Sequence, residues 1–120
     1  MIVDDDADIR FLLATALRHA GYEVRTAADG FEALHMMSLQ PPDLLLTDVG
    51  MPRLDGWRLL HLCRSQEFLA DVPIIVMSAF EGLADQAGER GADGFLVKPF
   101  SWQDARRTIE CVFARRASDV

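Results

Sequence analysis

Short apolar runs alternate with stretches of helical period along the whole chain. Ile2-Val3 is a two-residue stub of strand. Residues 7–20 then place Ile9, Leu12, Leu13, Ala16, Leu17 and Ala20 on one helical face, and Gly21 ends that helix. Glu23 to Ala27 reads as a second strand. Asp29-Gly30-Phe31-Glu32 forms a capping box for a helix to about Leu39, which Pro41-Pro42 stops. Residues 44–48 are apolar on both faces, as in a central parallel strand. Pro52 and Asp55-Gly56 shape a loop, and a helix follows from Trp57 to about Gln66. Pro73 introduces a strand at 74–78, and a weak, Gly-flanked helix covers roughly 83–90. Strand five is 95–98. Ser101 caps a last helix to about Arg116, which leaves 117–120 as a frayed end.

Five β–α units predict an α/β fold, a parallel sheet with helices on both faces. A chain of 120 residues fits a single domain, 1–120, with its core at about 2–113. Half the residues are hydrophobic, enough to bury a real core. No apolar run approaches the length of a membrane span, and the expectation is that no signal peptide precedes the first strand. Cys63 and Cys111 lack metal-ligand spacing and sit in apolar helical patterns, so both are expected as buried free thiols. The expectation is a soluble, cytoplasmic protein. A formal charge of −7 argues against nucleic acid or an anionic membrane as direct partner.

The chemistry collects at strand ends. Asp4-Asp5-Asp6 follow strand one, Asp48 ends strand three, Ser78 ends strand four and Lys98 ends strand five. In an open parallel sheet these ends meet on one edge, where ligands bind. Each residue also has a plain structural reading: helix caps for the acids, a turn for Ser78, a surface cation for Lys98. Their convergence favours function. A nucleotide-binding protein would carry a glycine-rich turn after strand one. Acids there repel bare phosphate and attract a hard cation. Crowded carboxylates raise one another's pKa, and a divalent cation removes that conflict. Mg²⁺ (or Mn²⁺) would find oxygen ligands in Asp5, Asp48, a backbone carbonyl just after Asp48, and water. A cis Lys98-Pro99 bond would steer the ammonium into this pocket. His19, His35 and His61 lie on separate helices and suggest neither a triad nor zinc.

These residues in this order resemble the receiver domain of two-component response regulators, of the stand-alone, chemotaxis-regulator-like kind. The resemblance runs from Val3 to about Val112. It rests on Val3-Asp4-Asp5-Asp6, Leu46-Thr47-Asp48-Val49-Gly50-Met51-Pro52 with Leu54-Asp55-Gly56, Ile75-Val76-Met77-Ser78-Ala79, and Gly91 through Phe100. It implies a flavodoxin-like (βα)5 three-layer sandwich of strand order 2-1-3-4-5. It also implies that Asp48 takes a phosphoryl group from a sensor histidine kinase or a histidine phosphotransfer protein. Asp4, Asp5, Asp48 and the Gly50 carbonyl would hold the metal, and Lys98 would pair with Asp48. Ser78 and Phe95 would be the switch hydroxyl and the switch aromatic. Output would reach a downstream protein or a second copy through the fourth helix, fifth strand and fifth helix. The chain would then catalyse only its own phosphorylation and dephosphorylation. Departures are the short first strand, Ser at 78 where Thr is commoner, and Phe at 95 without a phenolic hydroxyl.

Two other classes fit less well. A Mg²⁺-dependent aspartyl-phosphate phosphatase or phosphotransferase would carry a second Asp two residues after Asp48, where this chain has Gly50. A flavodoxin would need a hydroxyl- and Gly-rich first loop in place of the acids.

Overall fold

The computed structural model describes residues 1–118 and forms one five-stranded parallel sheet of order β2-β1-β3-β4-β5. The elements are β1 (Ile2–Val3), α1 (Ala7–His19), β2 (Thr26–Ala27), α2 (Gly30–Leu39), β3 (Leu45–Asp48), α3 (Gly56–Ser65), β4 (Ile74–Ser78), α4 (Ala84–Glu89), β5 (Gly94–Val97) and α5 (Trp102–Ser118). A 3-10 turn, Glu81–Leu83, leads into α4.

Strand alternation builds the layers. Ile2, Leu46, Ile75, Met77 and Leu96 pack with Leu13, Ala14 and Leu17 of α1 and Ala105, Ile109 and Val112 of α5. Their neighbours Val3, Leu45, Ile74 and Val76 face the other way, onto Ala33 and Met37 of α2 and Leu59, Leu60 and Cys63 of α3. Period-two alternation in strands that are covered on both sides produces this division.

Caps set the helix starts. Asp6 accepts from Asp8 and Ile9 amides, Asp29 from Glu32, and Asp55 from Arg58. Ser101 and Asp104 exchange side-chain-to-amide bonds in a full capping box. Gly21 closes α1 at φ +97°, a backbone state that favours glycine. At the edge of the sheet where β5 begins, Asp93 accepts from Arg64 and Arg116 and from the Ile74 amide. That carboxylate ties α3, β4 and the end of α5 together.

The structure corrects several expectations. Strand two is only Thr26–Ala27, not 23–27, because β1 offers just two residues to pair with it. On α1 the buried stripe is Leu13, Ala14 and Leu17, while Leu12 is exposed and Ala20 has left the core. Leu12 instead lines an apolar groove of about 590 Å³ between α1 and the start of α5. Cys63 is buried as expected, but Cys111 is exposed. It lies one position off the Ala105, Ile109, Val112 stripe that α5 buries. Helix α5 continues through Ala117 and Ser118 where fraying was expected, and 119–120 lie outside the described residues. Among the described residues no helix is long and apolar enough to cross a membrane.

Candidate functional site

Asp4, Asp48, Ser78 and Lys98 reach one edge of the sheet because parallel strands share a direction. Asp4 follows β1, Asp48 closes β3, Ser78 closes β4 and Lys98 follows β5. Asp4 is fully buried and Asp48 and Ser78 nearly so. Asp5 is exposed at the mouth. Carboxylate oxygens of Asp4, Asp5 and Asp48 all lie within 4.8 Å of one another.

One cation answers them. The Lys98 Nζ donates to Asp4 Oδ2 at 2.7 Å and lies 3.1 Å from Asp48 Oδ1. The Lys98-Pro99 bond is cis. Burial is the largest influence on Asp48 and raises its pKa, Asp4 adds to the rise, and Lys98 opposes it; the net shift is upward. For Lys98, burial alone would depress the ammonium. Hydrogen bonds and charge from Asp4, then Asp48, outweigh burial and raise it. Lys98 thus pairs with two of the three clustered carboxylates, and the pocket still favours a further positive charge.

The donor set fits a divalent cation. Hard carboxylate oxygens from separate elements, one at the solvent edge, match the preference of Mg²⁺ for oxygen ligands with retained water. Gly50 is exposed two residues beyond Asp48, with open space where a Cβ would stand. The Ser78 Oγ accepts from the Phe80 amide at 3.1 Å, and the Ser78 carbonyl accepts from the Lys98 amide at 2.8 Å. Phe95 is half-buried against the α2–α3 side of the core.

A model of the response regulator receiver domain family matches residues 1–110. The chain is a response-regulator receiver domain. Among the receiver's curated relatives, "Probable transcriptional regulator ycf27" of Cyanophora paradoxa is 42% identical over 117 residues, 96% of this chain and 48% of the relative. "Transcriptional regulatory protein PrrA" of Mycobacterium tuberculosis is 38% identical over 120 residues, 98% of this chain and 51% of the relative. The receiver domain thus spans about half the length of the curated relatives it matches. Among solved structures, the chemotaxis response regulator CheY4 of Vibrio cholerae superposes with TM-score 0.87 at 34% identity, covering 92% of this chain and 94% of that one. The receiver domain of NtrX from Brucella abortus gives 0.81 at 36% identity, covering 99% and 97%. The flavodoxin-like fold and the two-component family expected from the sequence are both borne out. Receivers of this family bind Mg²⁺ at an acidic pocket, and this chain has the corresponding aspartate cluster.

Two residues around the receiver's site escaped the sequence reading. Gly56 opens α3 against the Asp48 carbonyl, where any Cβ would stand 2.2 Å from that oxygen. The Asp55-Gly56 pair signalled a turn, but the contact depends on how the loop returns to β3. Arg10 donates from Nη1 to the Asp4 carbonyl at 2.6 Å. Its place one turn into α1, after three acids, was the available signal.

Proposed function

We propose that this receiver domain takes a phosphoryl group onto Asp48 in a Mg²⁺-dependent reaction. The donor is a sensor histidine kinase or a histidine phosphotransfer protein. One observation carries the reading: a buried strand-end carboxylate, raised in pKa, pairs with the only lysine of the chain and lies within 4.8 Å of two further carboxylates. An Asp48 carboxylate oxygen forms the new bond to phosphorus as the phosphorus–nitrogen bond of the donor breaks. The electron pair leaves with the imidazole nitrogen, which takes a proton. The product is an aspartyl phosphate. Asp4, Asp5, Asp48 and the Gly50 carbonyl would hold the cation, which when bound would neutralise charge on the transferring group. Lys98 is placed to follow the phosphoryl oxygens, and positioning with charge neutralisation supplies the catalysis.

Output follows from the same edge. Phosphorylation adds charge and acceptor oxygens at Asp48. The Ser78 hydroxyl, held by the Phe80 amide, turns toward them, and Phe95 moves deeper beneath α4. Phe95 starts half-buried, so the gain is part of the roughly 1.5–3 kcal/mol for burying a whole side chain. The face formed by α4, β5 and α5 then meets a downstream protein or a second copy of the chain. The charge of −7 favours protein over nucleic acid or membrane as the contact of this segment, and cytoplasmic action fits its donors. Within this proposal, residues 1–120 act as one domain that modifies only itself.

Acetyl phosphate with Mg²⁺ should add one phosphoryl mass to the intact chain, and chelation of the metal should abolish the addition. Labelling that is indifferent to Mg²⁺ would count against the metal assignment.

A further inference from the structure

We infer that Arg10 is a positioning residue for the metal site, acting through the peptide that joins Asp4 to Asp5. The inference rests on the metal reading above and names a residue outside the ligand set. Asp5 is the exposed member of the cluster, and among the described residues its carboxylate has no hydrogen bond of its own. Its placement therefore depends on the backbone on either side. Behind it, the Asp4 amide donates to the Ala27 carbonyl of β2 at 3.3 Å. Ahead of it, the Asp6 amide donates to Asp4 Oδ1 at 2.9 Å, and the Asp6 side chain caps α1. The intervening carbonyl, that of Asp4, is held by Arg10 Nη1 at 2.6 Å. A change in the ψ angle of Asp4 would turn that carbonyl and carry Asp5, with its side chain, away from Asp48. A charged donor on the carbonyl resists the rotation.

Arg10 also brings a cation toward the cluster, which by itself opposes metal binding. The two effects have opposite signs, and the variants separate them. Arg10→Met keeps the half-buried stem and removes both charge and hydrogen bond. Positioning predicts that Mn²⁺ binds it about tenfold more weakly than wild type, the low end of losses seen when groups behind metal ligands are removed. Removal of a mere repulsive charge predicts tighter binding. Arg10→Lys, which keeps a donor and the charge, should recover most of the affinity. The measurements are Mn²⁺ titration followed by electron paramagnetic resonance, and amide exchange at Asp5 and Asp6 without metal. Faster exchange with weaker binding in Arg10→Met supports the role. Binding equal to or tighter than wild type, or unchanged exchange at those amides, overturns it. If wild type itself binds no Mn²⁺, the metal reading falls, and the exchange comparison alone decides whether Arg10 fixes Asp5.

Discussion

Gly56→Ala is the smallest change expected to damage both the fold and the site. The added Cβ would stand 2.2 Å from the Asp48 carbonyl oxygen, 2.9 Å from Val49 Cα and 3.0 Å from the Asp48 carbonyl carbon. Ordinary contact begins near 3.4 Å, so the shortfall against the oxygen is roughly 1.2 Å. All three obstacles are backbone and cannot rotate aside. The Gly56 amide also donates to the Val49 carbonyl at 2.9 Å, so α3 cannot withdraw without losing that bond. Overpacking of this kind costs about 1–3 kcal/mol, and an immovable backbone puts it at the upper end. Alanine returns about 0.5–1 kcal/mol in helix propensity. The net loss is about 2 kcal/mol, or roughly 8 °C in Tm for a domain of this size. Because the displaced group is Asp48, labelling by acetyl phosphate should slow by about tenfold or more. Urea unfolding followed by circular dichroism, together with labelling rates, tests both effects. Gly88→Ala is the control, since a Cβ there meets nothing within 4 Å. Gly56→Ala with wild-type stability and labelling would refute the steric argument.

Three further outcomes are expected. Asp48→Asn should raise Tm in metal-free buffer near neutral pH. The folded state holds the Asp48 proton more tightly than the unfolded chain, so ionisation costs stability as pH rises above the ordinary carboxylate value of 3.8. The advantage should shrink as pH falls toward that value, and a pH-independent difference would contradict the cause given. A Gly50→Asn, Phe80→Glu double variant should lose its phosphoryl group faster than wild type, because neither Gly50 nor the exposed Phe80 offers a side chain to orient hydrolytic water. Equal lifetimes would end that idea. Beryllofluoride, a phosphoryl mimic, should change amide exchange in residues 83–112; changes confined to 7–40 would remove the output face.

Much of the fold was legible because its signals are local. The caps at Asp29 and Ser101 and the buried run at 44–48 each follow from short-range chemistry. The strand-end residues were legible because parallel topology sends every strand terminus to one edge. What the sequence withheld depends on partners. The length of β2 is set by β1, not by its own composition. Exposure of Leu12 and Cys111 turns on helix rotation against the sheet, which neighbouring apolar residues leave ambiguous by one position. The Gly56 contact and the Arg10 bond to Asp4 join segments whose approach no spacing encodes. The half-burial of Phe95 likewise depends on the α2–α3 side of the core against which it packs.

The central claim is that Asp48 itself carries the phosphoryl group. Borohydride reduces an aspartyl phosphate to homoserine and leaves free carboxylates intact. The chain should be labelled with acetyl phosphate and Mg²⁺, reduced, digested and mapped by mass spectrometry. Homoserine at position 48, and loss of the signal in Asp48→Asn, is the predicted result. Reduction at another aspartate in wild type, or undiminished labelling of Asp48→Asn, would contradict it.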